Sequence, residues 1–138
     1  MISVLLLLLV ACCALCDVRY RIIPNKIIYC LFFLGLIKFS DSRISITSQT
    51  VYIIILSILL LFFYKTRRLG AGDIKLIIVL AMFFRPYTCL ILIYIAFISA
   101  LVYFFIISAY KQSFNLYNRI PLAPFIFGAT IIILIHER

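Results

Sequence analysis

Apolar residues fall into six runs along the chain, at about 1–16, 27–40, 45–64, 74–84, 88–110 and 120–135, and the stretches between them are short and carry most of the Lys and Arg. None of the runs alternates apolar with polar residues as a transmembrane strand would, so helices are expected throughout. Crossing a bilayer as a helix takes about 20 apolar residues, with about 17 as the short limit. The third and fifth runs meet that length. The first, second, fourth and sixth are short; they must recruit flanking residues, snorkel their Lys and Arg, or sit inside the bundle beside a wetted cavity. The fourth is the shortest and opens at Asp73, which predicts a first turn buried in protein or wetted rather than facing lipid. The pattern predicts an all-α membrane protein: a polytopic bundle of about six transmembrane helices with short loops, forming a single domain over residues 1–138.

Composition leaves little room for a soluble domain. The chain is 67% hydrophobic and 12% charged, with a mean hydropathy of +1.29, whereas soluble domains are about half apolar and about a quarter charged. A net charge of +9 would suggest nucleic acid as the partner of a soluble protein. Here no basic run extends beyond Arg67-Arg68, so the charges read as topology signals and contacts for membrane lipid headgroups, and no nucleic acid is expected. The stretches after the first, third and fifth runs hold Arg19, Arg21, Lys26, Lys65, Arg67, Arg68, Lys75, Lys111 and Arg119, nine of the thirteen basic residues; Lys38, Arg43, Arg85 and Arg138 fall on the other side. The excess belongs in the cytoplasm, which puts both termini outside. A cleaved signal over residues 1–11 is disfavoured. No basic segment precedes it, and it would deliver Asp17, Arg19 and Arg21 to the outer side.

Two carboxylates then stand out among only four acidic residues. Asp17 closes the first apolar run and Asp73 opens the fourth, both on the predicted cytoplasmic side. A carboxylate at the edge of a membrane segment is expensive to keep and is a functional candidate. Two glycines precede the second, in Gly70-Ala71-Gly72-Asp73. Glycine admits unusual backbone conformations and lets another chain approach closely. It can also set Asp73 at a helix N-terminus, where the dipole favours its charge. Two neighbouring carboxylates resist joint ionisation, so one holds the proton and the pair titrates as a unit. Lys75 either tunes Asp73 or snorkels. Cys13 and Cys16 form a C-x-x-C without a second pair, which reads as small apolar residues in a helix; no metal and no cofactor is expected. Asp41 and His136 fall on the outer side and read as solvated positions.

The two segments, Asp17-Val18-Arg19-Tyr20-Arg21-Ile22-Ile23-Pro24-Asn25 and Gly70-Ala71-Gly72-Asp73-Ile74-Lys75-Leu76, in this order resemble the type IV prepilin peptidase family of intramembrane-type aspartyl proteases. A weaker third match is Arg119-Ile120-Pro121-Leu122-Ala123-Pro124-Phe125 with Gly128, where the family commonly has glycine at the position of Ala123; the departure bears on local packing and removes no catalytic group. The resemblance implies that Asp17 and Asp73 are catalytic and that Gly70, Gly72, Lys75, Pro24 and Asn25 support their motifs. It implies, as partner and substrate, a prepilin- or pseudopilin-like precursor with a short basic leader. The paired C-x-x-C insert of full-length relatives, associated with zinc and N-methylation, has no counterpart here. The chain therefore resembles the short, peptidase-only members, such as those of tight-adherence pilus systems and the archaeal preflagellin peptidases. Rival readings are a non-enzymatic membrane subunit of a pilus or secretion assembly, a small transporter using the aspartates for protons or cations, and an aspartyl protease that cuts within transmembrane helices.

Overall fold

The structure, a computed structural model, describes residues 2–41, 46–65, 69–111 and 121–136. Arg43, Arg67, Arg68, Arg119, Ile120 and Arg138, with the side chains of Asp41 and Lys111, lie outside the described residues. Six helices form: α1 (Ile2–Tyr20), α2 (Asn25–Asp41), α3 (Ile46–Lys65), α4 (Ala71–Leu80), α5 (Pro86–Lys111) and α6 (Ala123–His136). No strand occurs among the described residues. The all-α architecture expected from the apolar runs is therefore present. Three helices, α1, α3 and α5, are long and apolar enough to cross a membrane. At about 1.5 Å per residue α4 rises only about 15 Å, half of a hydrocarbon core. Its apolar run continues to residue 84 as a turn, not a helix, with Met82 and Phe83 bonding back to Val79 and Leu80.

Helix neighbours follow from which faces are apolar and small. α1 packs chiefly on α6, α6 on α5, α2 on α1 and α4, and α3 on α4. The buried residues of α1 are Leu6, Val10, Cys13, Ala14 and Asp17, a single stripe at helical spacing. The buried residues of α6, Ala123, Ile126, Ala129, Thr130 and Ile133, make a matching stripe. Alanines in both let the two backbones approach, as small residues do in membrane helix pairs. α4 is buried on nearly every side, with Ile74, Leu76, Ile77, Val79 and Leu80 all in the core, so it is an internal strut and not a lipid-facing span. Large apolar residues on α3 and α5, such as Ile55, Ile58, Phe62, Tyr94, Leu101 and Ile106, remain exposed, the distribution expected where lipid replaces water as solvent.

Candidate active site

The apolar stripe of α1 ends in a charge. Asp17 occupies the next position of the face begun by Leu6, Val10 and Cys13, and is 7% exposed. α1 stops one turn later. Arg21 takes a left-handed backbone (φ 54), and its N–H bonds the Asp17 carbonyl at 2.9 Å, an αL helix ending that more often uses glycine. Pro24 then supplies the carbonyl that starts α2, accepting the N–H groups of Ile27 at 3.1 Å and Ile28 at 3.5 Å. The Asp17 carboxylate is held from across the bundle: the backbone N–H of Ala123, first residue of α6, donates to Oδ2 at 3.1 Å. The first N–H groups of a helix have no partner within it, so a carboxylate there is doubly favoured, by the hydrogen bond and by the dipole.

Asp73 sits in the first turn of α4, three residues after the N-cap Gly70, whose backbone is extended (φ −71, ψ 144). The Gly70 backbone N–H lies beside the Asp73 carboxylate and favours its charge. Oδ2 lies against Gly70, and Oδ1 is buried without a hydrogen-bond partner. Asp73 lies outside the three long apolar helices. Burial, then the negative charge of Asp17, push it up to about 6, against the opposing Gly70 N–H. The chain therefore brings its two candidate carboxylates within electrostatic reach of one another at one end of the bundle.

The glycines serve space, not unusual dihedrals, for no glycine among the described residues has positive φ. A Cβ on Gly70 would stand 3.0 Å from Asp73 Oδ2. A Cβ on Gly72 would meet Ile23, in the α1–α2 link, at 3.2 and 3.3 Å. Lys75 Nζ donates to Asn25 Oδ1 at 3.1 Å, tying the start of α4 to the start of α2. All seven candidate residues thus gather at the same end. Two contributors escaped the sequence reading. Ala123, seen there only as a departure from glycine, acts through its backbone, and the signal was a small residue opening an apolar run after Pro121. Ile23 had no signal beyond its place between Asp17 and Pro24. Cys12, Cys13 and Cys16 are all free thiols in α1, with Cys13 buried.

Fold and site together define a helical membrane protein with paired carboxylates at one end of its bundle. A model of the type IV leader peptidase family matches residues 4–108, a span that contains both aspartates and all five supporting residues. The chain belongs to that family and is a peptidase. α6, whose first residue meets Asp17, lies beyond the matched span. No curated protein and no solved structure matches the chain.

Proposed function

We propose that the chain is an aspartic-type endopeptidase of the cell's inner membrane that removes the short basic leader from prepilin- or pseudopilin-like precursors at the cytoplasmic face. The observation that carries this reading is the convergence of Asp17 and Asp73: Asp17 is buried, Asp73 is half-buried with its Oδ1 buried and unpaired, and the charge of one acts on the other. A water between them completes the site. The ionised carboxylate takes a proton from the water as its oxygen attacks the scissile carbonyl carbon, and the protonated carboxyl gives its proton to the carbonyl oxygen. The tetrahedral intermediate collapses with cleavage of the C–N bond. The amide nitrogen receives the proton held by the first carboxylate, and the second recovers its proton from the intermediate's hydroxyl. One water is consumed, both carboxyls return to their starting states, and no covalent enzyme intermediate forms.

Placement of the site at a helix end suits such a precursor, whose apolar helix partitions into the bilayer and leaves the leader junction at the interface. The basic excess at the same end, including Arg19, Arg21, Lys26, Lys65 and Lys75, supports a cytoplasmic orientation. The sequence holds one C-x-x-C, Cys13 to Cys16, without a second pair, which supports proteolysis without N-methylation. The test is co-expression with a candidate precursor, following the mobility shift with the parent chain, Asp17→Asn and Asp73→Asn. Cleavage by the parent alone is expected; cleavage by either variant at the parental rate sinks the reading. Thiol labelling of cysteines introduced near Arg67 and Lys111 tests the orientation, and outer-side labelling reverses it.

A further inference from the structure

The two carboxylates are held differently, and the difference assigns their roles. Asp17 receives an N–H from the first turn of α6, at 3.1 Å on Oδ2. Asp73 has beside it only its own helix's Gly70 N–H and keeps Oδ1 buried and unpaired. Burial works against charge on both carboxylates, and at Asp17 the N–H from another helix's N-terminus opposes it. A buried carboxyl oxygen without a donor is costly when charged and costs less when it carries the proton. We propose that the N-terminus of α6, through the Ala123 N–H, keeps Asp17 ionised, so that Asp17 is the base that takes the water's proton and Asp73 is the acid that donates to the carbonyl oxygen. This rests on the reading of Asp17 and Asp73 as the catalytic pair. Ala123 is a positioning residue: it touches Asp17 and none of the reacting atoms.

Few other groups compete for control of Asp17. Within α1 the nearby titratable groups are Cys13 and Cys16, and Arg19 and Arg21 follow at its exposed end. α6 brings no ionisable side chain before His136, at its opposite end. α2 brings Lys26, exposed at its start, and Lys38, whose ammonium lies over the Phe84 ring at the far end of the bundle. α4 brings Asp73 and Lys75, and Lys75 is engaged by Asn25. Packing holds the donor in place: Ala123 is fully buried, and Phe125, two residues on, packs on Tyr103 of α5 with ring centroids 5.3 Å apart.

Because the donor is backbone, the substitution that removes it is Ala123→Pro, and proline is well tolerated at the first position of a helix. In the cleavage assay, the acid limb of the kcat/KM profile should move up by about one pH unit or more, the size expected for a lost hydrogen bond to a charged group. The conservative variant Ala123→Gly keeps the N–H and leaves that limb where the parent has it, whatever it does to the rate. An unmoved limb in an active Ala123→Pro enzyme overturns the proposal. A second measurement needs neither substrate nor variant. A carboxyl that carries its proton transfers it to a hydrophobic carbodiimide and adds through oxygen to the carbodiimide carbon, so at mildly acidic pH the parent chain should be modified at Asp73 before Asp17, as peptide mass mapping reads. Modification of Asp17 first overturns the assignment even where the cleavage assay supports the catalytic pair.

Discussion

The two ends of α4 are built on opposite plans. At its C-terminal end every residue from Val79 to Phe84 is buried. There Gln49 of α3, 1% exposed, points its amide nitrogen at the carbonyls of Ala81, Met82 and Phe84, at 3.5, 3.4 and 3.5 Å. That donor serves the carbonyls a helix cannot satisfy within itself. At its N-terminal end two glycines keep side-chain volume out, the tie to α2 is an exposed Lys75–Asn25 bond, and one oxygen of Asp73 has no partner. One end is closed around backbone carbonyls that the Gln49 amide nitrogen serves, with Gln49 Oε1 itself buried and unpaired. The other is kept open around an unsatisfied carboxylate, a cost that a fold tolerates where chemistry needs the group free.

The largest effect that separates the ends is on turnover. Asp17→Asn and Asp73→Asn should each lower cleavage by roughly 10²–10⁴-fold, the usual scale of a lost general acid or base, with the helical spectrum and melting temperature retained. Next comes pH. The buried carboxyl of Asp73, pushed up to about 6, keeps its proton at lower pH and loses it as pH rises through that value. With Asp73 as the acid, kcat/KM should fall on the alkaline side, by roughly 50-fold between about pH 6 and about pH 8. A profile flat across that interval would show that Asp73 does not supply the proton.

Gly72→Ala tests the space at the open end. Its Cβ would meet Ile23 at 3.2 Å, so either the α1–α2 link or the first turn of α4 must give way, and the two aspartates move relative to one another. Cleavage should drop about 10-fold, since misplacement by a fraction of an ångström already costs rate, and Ile23→Ala in the same chain should restore part of it. At the closed end Gln49→Leu should do the reverse. It strips the carbonyls of their donor, so thermal unfolding in detergent should show a loss of about 1–3 kcal/mol, while the pH profile of the remaining folded enzyme stays in place.

The same contrast explains how much of the molecule was visible in the chain. Helix existence followed from apolar runs that no strand pattern fits, and each of the six runs became a helix. The fourth was truncated because Ala81–Phe84 turn back after Leu80, with Gln49 in place of further helical bonds, and a long-range partner of that kind leaves no mark in local periodicity. At the site Asp17 and Asp73 were legible because charge at a membrane edge is rare. Gly70 and Gly72 were legible as glycines but not in their reason, since a need for space depends on which neighbour arrives, here Ile23 and the Asp73 carboxylate. Ala123 was not legible at all as a donor, because its contribution comes from a backbone group that every residue except proline carries.

The smallest expected effect belongs to the bond that looks most like part of the motif. Lys75 and Asn25 are both exposed, and their bond at 3.1 Å competes with water at each end. Lys75→Met and Asn25→Ala should each change stability by only about 0.5 kcal/mol and cleavage by about twofold. The double variant should lose no more than the larger single loss, because the two side chains share one interaction. Such a result would make the bond an alignment aid between α2 and α4, with the packing of Ile23 on Gly72 carrying the placement of Asp73. A loss of about tenfold in Lys75→Met but not in Asn25→Ala would mean that the lysine leaves Asn25 during turnover and acts on the carboxylates directly, and the open end of α4 would then have a third working group.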